Sequence, residues 1–410
     1  DALPIYHDVN ERFAEAAASA AGPSSAIWVH DYHLQLAPAM LRARRPDLRI
    51  GFFLHIPFPD RRLFGRLPWR RESLEGALGA DVVGFQTRED AEHFASSAGR
   101  YTGADVEGRT VTRGDRETHV APFPISIDAA RIDEIARSDA VVRAAAEHRR
   151  RLNGRTVLLG VDRLDYTKGI PNRLRAFQRL LRSGRVSPDE VTLVQSCVPT
   201  RENIEAYAAL RSEVEQIVGE INGEFSSLGR ECVHYLRQNL PAEELIALYA
   251  AADVALVTPL RDGMNLIAKE FVAARHDESG SLVLSECTGA AEELSEAIIV
   301  NPHDLAGMGE AMERAVRLGR AEQQRRMRSM RATVMRNDVY RWADSFMSRL
   351  RPAQGRVRRG PTSQPSGAGD GRSRALAATR ARALMAPREL ISEAEARRRA
   401  ARQRESAPAG

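Results

Sequence analysis

Short, unbroken apolar runs separated by longer helical stretches constrain this chain more than any other feature. The runs are AIWVH (26–30), IGFFLH (50–55), DVVGF (81–85), THVAPFP (118–124), TVLLGV (156–161), VTLVQS (191–196), CVHYL (232–236), VALVTP (254–259), SLVLSE (281–286) and AIIVN (297–301). They lack the in–out alternation of a sheet with one wet face, so they predict strands buried on both faces. Between them, IPNRLRAFQRLLRS (170–183) and AEELIALYAAA (242–252) have helical periodicity. Covered strands alternating with helices predict an α/β chain of doubly wound parallel sheets. The alternation pauses at 128–150, which reads as helix alone and marks a junction between two such domains, 1–135 and 136–335. A further helical stretch, 303–350, closes the folded body, with 336–350 as its terminal helix.

Composition narrows the class. The chain has 410 residues and a net charge of +5. That charge is misplaced as a guide to the folded part. From Arg351 onward there are 14 arginines and 5 acids, which leaves the preceding 350 residues at −4. The 351–410 tail has too few large apolar residues to bury a core and is expected to be disordered, with a helix in SEAEARRRAARQ (392–403). Specific nucleic-acid binding is not expected from a mildly acidic body. No apolar run reaches the ~18 residues of a membrane helix, and no signal peptide is evident. Cys197, Cys232 and Cys287 are scattered, without metal-ligand spacing, and point to a reducing, cytoplasmic setting.

Two segments run strand, polar turn, helix. GVDRLDYTKG (160–169) places Arg163 and Lys168 across a turn closed by Gly169. TPLRDGMNLIAKEF (258–271) offers Asp262, the amides of Gly263, Met264, Asn265 and Leu266 at a helix start, and Glu270 one turn in. Among 60 basic residues the only lysines are Lys168 and Lys269, one in each segment. An ammonium is a point charge and a guanidinium a planar fork, so the two together at a strand end suit a diphosphate. Amides at a helix start attract an anion, and Gly263 permits close backbone approach. Asp262 can accept from sugar hydroxyls, and Glu270 can hold two ribose hydroxyls. The plainer alternatives are an Arg163–Asp165 ion pair, Asp262 as a helix cap and Glu270 as a dipole partner.

WVHDYHLQLAP (28–38) sets His30, Asp31, Tyr32 and His33 directly after a strand, and IGFFLHIPFPD (50–60) sets His55 after another. Asp31 and His55 would then face one crevice. A lone histidine is more often a hydrogen-bonded core or loop residue, and no carboxylate-rich set accompanies these, so no metal is expected. Neither a serine-hydrolase elbow nor a GxxxxGK[ST] loop is present.

HDYHL, GFFLHIPFP, DVVGFQT, PISID, DRLDYTKG, INGEF, TPLRDGMNL with AKE, and LVLSECTGAAEEL with VNPHD lie in one order over nearly all of 1–350. In these the chain resembles the trehalose-6-phosphate synthase family. The resemblance implies two Rossmann-like domains facing a cleft, the glycosyltransferase-B architecture. It implies a retaining glycosyltransferase that moves glucose from UDP-glucose, or another NDP-glucose, to glucose 6-phosphate without metal or cofactor. Carried over by motif, Arg163 and Lys168 neutralise the donor diphosphate, and Glu270 holds the ribose. Asp262 with Gly263, Met264, Asn265 and Leu266 holds the donor sugar and phosphate. His55 sits near the donor glucose, Asp31 contacts the acceptor sugar, and Arg201 binds the acceptor phosphate. Assembly into a homo-oligomer stays open.

Strands that the family carries before the equivalent of Asp1 bring a glycine-bearing loop, an arginine and acceptor-side aromatics. Their absence from 1–410 predicts a truncated first domain with exposed apolar edges and little activity from this chain alone. The tail is too short for a fused phosphatase domain. Two rival functions remain at this point: a relative using another acceptor such as glycerol 3-phosphate (a glucosylglycerol-phosphate synthase), or a sugar-nucleotide-binding protein without turnover.

Overall fold

The computed structural model describes residues 2–200 and 204–351. The expected tail and its helix at 392–403 lie outside the described residues, apart from Arg351. Among the described residues, twelve strands form two six-stranded sheets. All ten apolar runs become strands; the central ones are largely covered on both faces, while Ala26–His30, Val233–Leu236 and Ile298–Val300 edge their sheets and stay partly open.

The first sheet contains β1 (Ala26–His30), β2 (Arg49–Phe53), β3 (Val82–Phe85), β4 (Asp105–Glu107), β5 (Thr110–Arg113) and β6 (Arg116–Pro122), in the order β1-β2-β3-β6-β5-β4. It is parallel through β6, as expected, and carries two antiparallel strands beyond it at one edge. The additional strands β4 and β5 form a polar hairpin at one edge, turned at Gly108 (φ 58°).

The second sheet contains β7 (Thr156–Arg163), β8 (Val191–Val198), β9 (Val233–Leu236), β10 (Val254–Val257), β11 (Ser281–Ser285) and β12 (Ile298–Val300). Its order is β12-β11-β10-β7-β8-β9 and it is parallel throughout. Alternate residues of these strands feed two separate cores. Leu158, Leu193 and Leu256 meet the helices Ile170–Arg182, Glu205–Phe225 and Leu305–Arg317. Val157, Val194 and Ala255 meet Ala242–Ala251 and Leu266–Ala274 on the other face. The chain runs outward from β7 to β9 and then restarts at β10 on the opposite side of β7. This reversal opens a crevice at the carboxyl ends of β7 and β10, where ligands of such sheets bind.

The strandless stretch forms the helices Ala129–Ala136 and Asp139–Arg151, which pack on the second sheet's helical layer. The last helix, Val339–Leu350, returns to the first sheet. Trp342, Phe346 and Leu350 are buried there with Phe53, Val82, Ala121 and Phe123. Gly51 and Gly84 make room for it: a Cβ at Gly51 would stand 2.5 Å from the Phe346 ring, and one at Gly84 2.8 Å from it. Burying a phenylalanine this way contributes roughly 1.5–3 kcal/mol.

Candidate active site

The carboxyl ends of the two sheets meet face to face. A Cβ at Gly263 would lie 2.1 Å from the carbonyl oxygen of His55. One at Gly289 would lie 3.1 Å from the Thr87 methyl. The missing side chain at 263 was expected to admit a ligand; on that side the structure places the opposite lobe's backbone.

On the second sheet, Arg163 ends β7, exposed and without an ion pair to any other described residue. The expected alternative, an Arg163–Asp165 pair, is therefore absent. Asp165 instead caps the turn that follows, accepting from the Thr167 amide and hydroxyl at 2.9 Å each. Burial works against its charged form, but those bonds and the Arg163 and Lys168 charges hold its carboxyl below the ordinary range. Gly169 (φ 63°) closes the turn, and a Cβ there would meet the Thr258 carbonyl at 2.5 Å. The β7 turn is thus pressed onto the end of β10.

Lys168 Nζ donates to Asp262 Oδ2 at 2.6 Å, and Asn265 Nδ2 donates to the same oxygen at 3.0 Å. Asp262 is not the helix cap. Asn265 is, with φ 67° and its Oδ1 accepting from the Ala268 amide. The amides of Gly263, Met264, Asn265 and Leu266 have no acceptor among the described residues. Such unmatched N–H groups at a helix start form an anion site. Glu270, further along, accepts from Tyr249 Oη at 2.9 Å. Lys269 is buried and turned away, donating to Glu293 and to the Ile125 carbonyl. Burial lowers its pKa and Glu293 opposes the shift, so this lysine is a structural tie.

Beneath this site lies a layer that sequence reasoning missed. Arg173 is 0% exposed. It pairs with Asp162 and donates to Gln195 Oε1 and Thr258 Oγ1 at 3.0 Å each. Gly160 leaves the space for it, since a Cβ there would stand 2.5 Å from Arg173 Nη1. The guanidinium thereby joins β7, β8 and the end of β10. A basic residue on the otherwise apolar face of an amphipathic helix was the only available signal.

On the first sheet, Asp31 follows β1 at φ 69°, a left-handed value that costs a non-glycine residue energy and often marks a functional position. Its Oδ1 accepts from the His55 amide at 3.2 Å. The His55 ring lies against His30, Nε2 to Nδ1 at 3.0 Å. Burial lowers the His55 pKa against the pull of Asp31. Trp342, from the last helix, covers both rings, an arrangement with no local sequence signature.

The structure thus joins Asp31 to His55, and Lys168 to Asp262 and Asn265. Arg201 lies outside the described residues. Among the described residues no cluster of three or more His, Cys, Asp or Glu could hold a metal, and no helix is long and apolar enough to cross a membrane.

The profile of Glycosyltransferase family 20 matches residues 2–352. The trehalose-6-phosphate synthase of Mycolicibacterium vanbaalenii is 52% identical over 365 residues, covering 85% of this chain and 74% of that protein. The Mycobacterium tuberculosis synthase is 50% identical over 371 residues, covering 86% and 74%. Among solved structures, a UDP-forming α,α-trehalose-phosphate synthase from Burkholderia xenovorans, in complex with glucose-6-phosphate, superposes with a TM-score of 0.81. It is 38% identical, covering 84% of this chain and 77% of that one. An E. coli structure bound with UDP-2-fluoro glucose gives a TM-score of 0.80 at 35% identity, covering 84% and 77%. With two facing sheets, a match across its folded length and relatives of this identity, the chain belongs to glycosyltransferase family 20.

Proposed function

We propose that the chain is an α,α-trehalose-6-phosphate synthase, transferring glucose from UDP-glucose, or another NDP-glucose, to glucose 6-phosphate with retention. The observation that carries this reading is the Lys168–Asp262–Asn265 cluster beside Arg163 at the β7/β10 crevice, facing the Asp31–His55 pair. A diphosphate entering the crevice takes Lys168 from Asp262. The ammonium and Arg163 then face phosphate oxygens, and the released carboxylate accepts from donor-sugar hydroxyls. Gly263, Met264, Asn265 and Leu266 supply unmatched amides, and Glu270 holds the ribose. As the sugar–phosphate bond breaks, charge grows on the leaving diphosphate. Cations already fixed beside it stabilise that charge without reorganising.

Asp31 receives the acceptor sugar, His55 lies at the donor glucose, and Arg201 takes the acceptor phosphate. Departing diphosphate and incoming hydroxyl share one face of the sugar, so retention follows from positioning. Three unpaired cysteines, two of them buried, support a cytoplasmic setting.

The test restores the strands that the family carries before the equivalent of Asp1 and offers UDP-glucose with either glucose 6-phosphate or glycerol 3-phosphate, following UDP release and product mass. Release with glucose 6-phosphate and a disaccharide phosphate as product is expected. Turnover with glycerol 3-phosphate alone would replace this reading with the related acceptor, and UDP-glucose binding without turnover would leave a binding protein.

A further inference from the structure

We propose that His30 is a positioning residue for the transfer reaction, fixing which nitrogen of His55 carries the proton. The inference rests on the role given to His55 above and deepens it. His30 ends β1 and His55 follows β2, its register neighbour, which brings the two rings together at 3.0 Å, Nδ1 of His30 to Nε2 of His55. Aromatic rings wall the pair: Trp28 lies 4.7 Å from His30, Phe53 4.7 Å from His55, and Trp342 6.3 and 6.4 Å from the two.

Only one proton fits between the two nitrogens. If His55 donates it, neutral His30 must carry its own proton on Nε2, which is buried with no partner among the described residues. If His30 donates from Nδ1, its Nε2 keeps a bare lone pair. A buried N–H without an acceptor is the rarer and costlier orphan. His30 is therefore the donor, and His55 accepts at Nε2 and carries its proton on Nδ1. The second nitrogen of a functional histidine is commonly set by such an outer partner. With Nδ1–H fixed, His55 offers a hydrogen-bond donor there, the group a sugar oxygen needs.

Burial keeps the pair neutral, lowering His30 to about 4 and His55 in the same direction. The charged group facing it is Asp31, with exposed His33 3.9 Å beyond.

The experiment is nitrogen NMR on ¹⁵N-histidine-labelled protein near neutral pH, with kinetics on the same samples. Both His30 and His55 should report Nδ1–H, whereas free imidazole side chains favour Nε2–H. In His30→Phe, whose ring fits the aromatic surroundings, His55 should revert toward Nε2–H. kcat should fall roughly 10- to 100-fold, the size typical of losing an outer histidine partner, with donor KM little changed. His30→Asn places an amide N–H where Nδ1 stood and should restore both tautomer and rate. An Nε2–H signature for His55 in the unaltered protein, or an unchanged tautomer in His30→Phe, overturns the proposal. His55→Ala is the separate control: if it keeps full kcat, the role of His55 in transfer fails, while the tautomer signals still decide the case for His30.

Discussion

At the first sheet the cleft is walled by His30, Asp31 and His55, two half-buried rings beside one carboxylate. At the second it is walled by Arg163, Lys168 and a row of amides, with Asp262 held against the lysine. Both walls are carboxyl ends of parallel strands, so the topology is the same and the chemistry is not. The first wall, one carboxylate beside two neutral rings, suits hydroxyl groups, which need directed donors and acceptors. The cationic wall suits phosphates, which need charge. The supports differ as well: aromatic rings hold the first wall, and a buried ion pair, Arg173 with Asp162, holds the second.

The contrast breaks most sharply if the second wall loses its charge. Replacing Arg163 and Lys168 by alanine should lower kcat/KM by about 10³-fold or more, since each is a donor aimed at developing charge. Calorimetric titration with UDP should show the affinity falling in parallel; unchanged affinity would falsify the assignment of this wall to the diphosphate. Next comes its support. Arg173→Met leaves Asp162 buried and unpaired and should cost about 3–5 kcal/mol in urea unfolding. Adding Asp162→Leu should recover much of that, because an apolar pair of similar volume replaces a buried ion pair at little cost.

The first wall should answer to pH instead. His30 is neutral when folded down to about 4 and titrates near 6.5 when unfolded, so the unfolded chain binds the extra proton. Its contribution is intact above pH 6.5 and is lost as pH falls toward 4, by about 3 kcal/mol at most. Unfolding curves at pH 7, 5.5 and 4 should show this slope, reduced in His30→Phe. The contact between the walls is tested by Gly263→Ala. Its methyl would meet the His55 carbonyl, and the strain should cost about 1–3 kcal/mol, with a raised donor KM. Smallest is Tyr249→Phe, which removes one bond to Glu270 and should weaken UDP binding by about 1 kcal/mol.

How much of this could be read beforehand follows from range. The ten strands were legible because each carries an unbroken apolar run, and in β2, β3, β7, β8, β10 and β11 burial on both faces accounts for it. The hairpin of β4 and β5 was not, since Asp105, Val106 and Glu107 all face solvent and its turns at Gly108 and Gly114 were the only cue. The two polar turns were legible because Arg163, Lys168 and Asp262 lie in compact strand–turn–helix segments. The Lys168–Asp262 bond was not, because it joins residues 94 apart. Arg173 was marked only by its place on the apolar face of its helix, which does not say that it is sealed between strands. Trp342 reaches the carbonyl of Phe123 across 219 residues, beyond any local pattern.

The return of the last helix to the first sheet has a mechanical consequence. The chain passes from one lobe to the other twice, near 123–128 and again near 337–339. The two passages are stitched together: the Val339 amide donates to the Ile127 carbonyl at 2.9 Å, and Tyr340 Oη donates to Asp128 at 2.8 Å. Bodies tethered at one point can swivel freely, whereas bodies joined along a short seam keep a single easy rotation, like a book on its spine. Any opening of this molecule to admit or release a sugar nucleotide is thereby steered into one direction, and each closure returns the two walls to the same alignment.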